Sequence, residues 1–314
     1  MQPAVCGDDL LASLSLRQKL AQLLNVGVTG ADDALAMIQA EQIGGIFVGS
    51  WTDRAMLAER QIPGVAAQSP LPLMVTIDEE GGRVSRVGEL LGPDPSARLT
   101  AQTMSVDETY QMALERGQEL RELGITVDFA PDVDVSSQPD DSVIGDRSYS
   151  DDPAVVIDYA GAYARGLQDA GIMPVFKHFP GHGSASGDSH TGAVTTPPLD
   201  QLVQTDLAPY RELLSPDVAV MIGHLDVPGL TDGLPASISC GGGSAAHRYR
   251  LRRTSLRRHD LHRRSVGDAG DHRQLRHHRS RRGRVGRGHR PGVVADHRPG
   301  SGSPRSPRTI GGLG

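Results

Sequence analysis

The sequence predicts an α/β protein built on a parallel sheet, and three observations carry this reading. Short apolar runs alternate with segments of helical periodicity along the first 240 residues, the pattern of parallel strands joined by crossover helices. Ionisable residues gather where the strand runs end, at Asp78, Asp132, Lys177, His178 and His224. Six strand runs are complete by residue 224, with no internal repeat at a period of about 20–50 residues. A (β/α)8 barrel builds its active site at the carboxyl ends of its strands. An open doubly wound sheet also binds ligands there. Six strands leave a barrel about two short.

The elements follow in order. Ser15 with Gln18 three residues on reads as a capped helix start, and Leu16, Leu20, Leu23 and Leu24 follow at helical spacing. Residues 25–28 form the first strand, 31–42 a helix and 45–49 a buried strand. The run Pro-Leu-Met-Val-Thr-Ile-Asp at 72–78 is a third strand ending in a carboxylate. A helix over 107–123 stops before Gly124, and the strand at 125–130 runs into Pro131-Asp132. A helix over 153–170 stops at Gly171, and strands at 172–176 and 218–222 complete the six.

Composition divides the chain. Residues 1–240 hold 13 Lys+Arg against 34 Asp+Glu, a net of −21, whereas residues 241–314 hold 19 Arg, 4 Asp and neither Lys nor Glu, a net of +15. The tail also carries 8 of the 12 histidines. No apolar run reaches the ~20 residues of a membrane helix, and no basic start followed by an apolar core marks an export signal. Cys6 follows Val5 rather than a small residue, so it does not read as a lipidation site. Cys6 and Cys240 are too few for a disulfide framework. Cytoplasm and cell envelope both stay open.

The densest chemistry lies in Lys177-His178-Phe179-Pro180-Gly181-His182-Gly183 and Gly187-Asp188-Ser189-His190. A single histidine is most often structural. Three histidines, a lysine and an aspartate in one closely folded loop point to a site. Imidazole and carboxylate are ordinary zinc ligands, but the spacing matches no helical two-His pattern, and no metal is expected. The alternative is a dyad in which Asp188 orients His190 and raises its basicity, making it a proton shuttle near neutral pH. Asp78-Glu79-Glu80-Gly81-Gly82-Arg83-Val84-Ser85-Arg86 follows a strand and is suited to sugar hydroxyls or an acid group; its paired glycines alone mark only a turn. Gly145-Asp146-Arg147-Ser148-Tyr149 is equally compatible with a structural Arg–Asp pair.

Taken in order and spacing, Ile77–Val84, Gly145–Ser148, Lys177–Gly183 and Asp188–His190 resemble glycoside hydrolase family 3, in particular its β-N-acetylglucosaminidase branch. Pro228-Gly229-Leu230 and Pro235–Ser239 match the stretch that follows in the family. The resemblance covers about residues 10–239. It implies a (β/α)8 TIM barrel, here incomplete at about six βα units. It also implies retaining hydrolysis of terminal β-linked N-acetylglucosamine, as in peptidoglycan fragments, without a cofactor. Carried over by position, His190 is the acid/base and Asp188 its partner. Asp78, Arg86, Arg147, Lys177 and His178 are the sugar contacts. A histidine acid/base departs from the usual pair of carboxylates, and the mechanism still requires a carboxylate nucleophile. In the family that nucleophile comes from the strand after Pro235–Ser239, in a pattern like Thr-Asp-Asp-Leu.

No such pattern occurs in this sequence. Where it belongs stands Ser255-Leu256-Arg257-Arg258-His259-Asp260-Leu261-His262-Arg263-Arg264-Ser265, and burying unpaired charges of that kind in a barrel wall costs several kcal/mol each. The tail reads as a basic arm for nucleic acid, as a solvated extension, or as a reading-frame shift near residue 240. The third reading is favoured, because Arg-, His-, Gly- and Ser-rich text is what a GC-rich gene yields out of frame. Asp260 to Val266 written as GAT CTT CAC CGA CGA TCT G gives, from its second base, Ile-Phe-Thr-Asp-Asp-Leu. The expected organisation is therefore a truncated barrel domain over 1–240 and an Arg/His/Gly-rich tail over 241–314, disordered or out of frame. The expected partner is an N-acetylglucosaminyl glycan, with no nucleic acid and no membrane span; the oligomeric state is unread. The alternatives are a non-catalytic N-acetylglucosamine-binding protein and a nucleic-acid binder acting through the tail.

Overall fold

The computed structural model describes residues 7–246. Six strands, β1 (Asn25–Gly27), β2 (Gly45–Val48), β3 (Met74–Ile77), β4 (Val127–Asp128), β5 (Met173–Phe179) and β6 (Ala219–Ile222), form one sheet in sequence order. Every neighbouring pair is parallel. Helices lie between successive strands, the longest spanning Val106–Glu122 and Pro153–Asp169. The result is a curled half-barrel of six βα units, an incomplete TIM barrel.

Local sequence explains the main boundaries. Ser15 and Ser105 each close a capping box, with Gln18 and Glu108 reaching back to the cap nitrogen. Asp152 caps the Pro153–Asp169 helix, whose Pro153 occupies the first turn, where its missing N–H is not needed. That helix packs tightly on Val106–Glu122. A Cβ on Gly166 would lie 2.6 Å from the Tyr110 carbonyl oxygen, so only glycine admits this approach. Beneath the helices, Ile46, Val75, Ile77, Leu120, Ile125 and Leu167 build one core, and Phe176, Phe179, Leu207, Tyr210 and Leu225 build a second toward β6.

The structure alters several expectations. β5 runs to Phe179, three residues past the predicted end, so Lys177 and His178 belong to a strand rather than to the loop after it. β4 shrinks to two residues, although the chain stays extended enough for Asp132 to bridge Lys177. The helix capped by Ser15 stops at Ala21, and Leu16, Leu20, Leu23 and Leu24, expected as an apolar face, are all exposed. These leucines precede β1, which is one end of the sheet, and among the described residues no further βα unit covers them. Residues 240–246 are helical and bury Ala245, a few residues past the boundary expected at 240. Cys240 is a free, exposed thiol. The expected disorder of the tail, the out-of-frame nucleophile segment and Cys6 all lie outside the described residues. Among the described residues no helix is long and apolar enough to cross a membrane.

Candidate active site

Side-chain alternation along the strands decides which residues meet. Asn25 on β1 donates to Thr76 Oγ1 on β3, and Phe47 on β2 meets Phe129 just past β4 with ring centroids 5.6 Å apart. Neither pair sits on adjacent strands, so these side chains face one another across the concave side. Period-two alternation carries Asp78 and Lys177 onto the same side. There, Lys177 Nζ lies 2.9 Å from Asp78 Oδ1 and 2.5 Å from Glu80 Oε1.

Glu80 is the hub of this network. Arg147 grips it through two bonds, Nε to Oε2 at 2.8 Å and Nη2 to Oε1 at 2.7 Å. Burial opposes ionisation, but the Lys177 and Arg147 charges win and hold the Glu80 carboxyl down at about 2. Lys177 answers in kind: burial disfavours its charge, while Glu80 and Asp78 raise its affinity for the proton. Arg86 approaches Asp78 at 3.7 Å, and its buried Nε has no hydrogen-bond partner. Asp78, Arg86, Arg147 and His178 each keep between 14% and 21% of their side chains exposed. That window leaves donors and acceptors open to a polyhydroxylated ligand.

A second set sits alongside. Asp134 accepts from the Nδ1 of His178 at 2.7 Å, from the His178 backbone N–H and from the His182 N–H at 2.6 Å. With Nδ1 donating, Nε2 of His178 is free to accept. Burial pushes the His178 imidazole down to about 3, so it is neutral at physiological pH. The Oδ1 of Asp132 accepts the Asp134 N–H, and burial together with the Asp134 charge raises its carboxyl well above the ordinary range. Donor atoms of Asp132, Asp134 and His178 lie within 4.8 Å of one another, close enough to share a cation. Yet Asp134 is already occupied by N–H donors, and the Arg147 guanidinium stands 3.6 Å from Asp132 Oδ2. The set is therefore better suited to orienting His178 than to holding a metal ion.

The Asp188–His190 pair forms locally. His190 donates its backbone N–H at 2.9 Å and its Nδ1 lies 2.7 Å from the same Asp188 oxygen. These two contacts lower the Asp188 carboxyl below its usual range. The imidazole is 86% exposed, and among the described residues no hydrogen bond or ion pair joins it to the Lys177 network.

The sequence-predicted residues thus fall into two groups: Asp78, Arg86, Arg147 and Lys177 with His178 beside them, and Asp188 with His190 apart from them. Arg147 pairs with Glu80 rather than with its neighbour Asp146, which Arg83 holds at 2.9 Å. His224 is exposed and hydrogen-bonded to Ser237 at 2.7 Å, outside either group. Sequence reasoning missed Glu80 as hub and Asp134 as the anchor of His178. The acidic pair in Pro131-Asp132-Val133-Asp134 after a strand was the available signal. It also missed Glu79, whose buried carboxylate accepts from the Ser85 hydroxyl and from the Arg86 and Val87 N–H groups, fixing the loop that carries Arg86.

Comparison with known proteins bears on this arrangement. The glycosyl hydrolase family 3 N-terminal domain matches residues 15–241. Beta-hexosaminidase LpqI of Mycobacterium tuberculosis is 58% identical over 230 residues, 73% of this chain and 59% of that protein. The chain thus spans less than two thirds of the length of that relative. A family 3 glycosyl hydrolase from Mycobacterium smegmatis superposes with a TM-score of 0.72 at 60% identity, covering 74% of this chain and 71% of the other. A β-N-acetylglucosaminidase of the family from a Paenibacillus strain gives a TM-score of 0.65 at 35% identity, over 73% of this chain and 46% of the other.

Proposed function

Because this chain belongs to glycosyl hydrolase family 3, we propose that it is the sugar-binding part of an enzyme that hydrolyses terminal β-linked N-acetylglucosamine. The observation that carries this reading is the Asp78–Lys177–Glu80–Arg147 network, in which Asp78 and Arg147, with Arg86 and His178 beside them, stay partly open. A hexosamine presents hydroxyls that donate and accept at once. Asp78 accepts from them, Lys177, Arg86 and Arg147 donate to them, and the free Nε2 of neutral His178 accepts. Fixed charges in a half-buried site hold such a ligand without reorganising, as catalysis requires.

In the chemistry we assign, His190 delivers a proton to the departing glycosidic oxygen as the C1–O bond breaks. Asp188 holds the ring by Nδ1 and stabilises the imidazolium before and after transfer. A carboxylate attacks C1 from the opposite side, and water then releases the sugar with retention. Residues 1–240 supply the binding groups and the dyad as a truncated barrel domain; the sequence of residues 241–314 carries no Thr-Asp-Asp-Leu nucleophile pattern. We therefore expect this chain to bind the sugar and to turn it over several orders of magnitude more slowly than a frame-restored one.

The test compares the two chains. Calorimetric titration with N-acetylglucosamine should give binding in both, abolished by Lys177→Ala. Hydrolysis of an aryl N-acetyl-β-glucosaminide should be strong only in the restored chain, and His190→Ala there should slow substrates with poor leaving groups most. Absence of sugar binding in both would overturn the site; equal turnover by both would overturn the missing-nucleophile reading.

A further inference from the structure

Trp51 is the chain's only tryptophan, and it is 57% exposed. Among the described residues it is the one exposed Phe, Tyr or Trp side chain. It follows β2, at the carboxyl end of the sheet where Asp78 and Lys177 converge. Strand register fixes its surroundings: Gly27 pairs with Phe47 and Phe47 with Thr76, so these three share the concave face. The indole folds back over that face. A Cβ on Gly27 would stand 2.7 Å from the indole Cζ2, and one on Gly49 would stand 2.7 Å from Cη2. Two missing side chains therefore make the seat in which the ring lies. Phe47 supports it edge-on, with centroids 5.5 Å apart and planes at 72°, and Phe47 rests in turn on Phe129.

Among the described residues Trp51 keeps 57% of its surface exposed. It is held in place with more than half its surface free, at the mouth of a site whose other open groups are all polar. A pyranose has a polar rim and an apolar face of C–H groups. Asp78, Arg86, Arg147 and His178 answer the rim. Among the described residues no other exposed Phe, Tyr or Trp stands at this end of the sheet to answer the face. We propose that Trp51 is the stacking platform for the apolar face of an N-acetylhexosamine ring entering the barrel mouth. Ligand sites of this size combine apolar or aromatic walls with a few placed polar groups, and an indole offers a large rigid contact at small entropic loss. This inference rests on the proposed function and adds to it the residue that selects a ring with a free apolar face.

Because the chain has one tryptophan, its emission reports Trp51 directly. The full chain is titrated with N-acetylglucosamine and, separately, with di-N-acetylchitobiose, following fluorescence and heat in parallel. Emission should quench or shift along the same isotherm as the heat. Trp51→Ala should weaken binding at least tenfold, Trp51→Phe less, with unchanged circular dichroism in both. Weakening for both sugars assigns the platform to the ring held by Asp78 and Lys177. Weakening for the disaccharide alone assigns it to the adjoining ring, and either supports the proposal. Heat of binding with silent emission and undiminished affinity in Trp51→Ala overturns the platform and leaves the sugar site standing. No heat from the unaltered chain overturns both.

Discussion

Replacing Glu80 by Gln keeps the shape of the side chain and removes the charge that two buried cations share. Lys177 and Arg147 hold the Glu80 carboxyl at about 2, against 4.5 for a free glutamate. That difference of about 2.5 units corresponds to roughly 3 kcal/mol at about 1.4 kcal/mol per unit. The figure agrees with the roughly 3–5 kcal/mol expected when one partner of a buried pair is removed. The sign with pH follows from the depressed folded value. The stabilisation is fully present above pH 4.5 and is lost as pH falls toward 2. Urea unfolding of the unaltered chain and Glu80→Gln, followed by circular dichroism, should show a deficit of about 3 kcal/mol at pH 7. By pH 3 the deficit should fall below half of that, because the unaltered protein is itself losing the contribution. Equal stabilities at pH 7, or a deficit that stays constant between pH 7 and pH 3, would refute the reasoning.

Other outcomes follow from the same structure. Glu79→Gln turns an amide donor toward the Ser85, Arg86 and Val87 donors; it should lower stability by about 1–3 kcal/mol and weaken N-acetylglucosamine binding through a loosened Arg86, read by unfolding and calorimetry. Burial pushes the Asp206 carboxyl up to about 6 from 3.8, so the folded chain holds its proton longer than the unfolded one and stability falls as pH rises from about 4 to 6. Asp206→Asn should therefore be more stable than the unaltered chain at pH 7, by at most ~3 kcal/mol, and equal to it near pH 4; a variant less stable at pH 7 would contradict this. Chelation should leave sugar binding unchanged, since Asp134 is engaged by N–H groups and the Arg147 guanidinium stands beside Asp132; a loss restored by added zinc would show otherwise.

How much of this was legible beforehand varies with the physics. Strand-helix alternation, the capping boxes at Ser15 and Ser105 and the polar residues at strand ends depend on neighbours within a few positions, and the sequence displays them openly. The motif residues Asp78, Arg147, Lys177 and His178 were legible for the same reason, as was Asp188 bonding to His190 two residues on. Glu80 as hub was hidden, because its partners stand 67 and 97 positions away and only curling the sheet brings β3, β5 and the 145–147 turn together. Asp134 likewise acquires its role from strand β5, and Trp51 from the absence of a side chain on β1. Local periodicity and chemistry thus determined the elements and the list of reactive groups. The concave face of a parallel sheet decided which groups share charge, which lose water and which stay open to a ligand, because burial and Coulomb energy depend on distances in space that residue order does not contain.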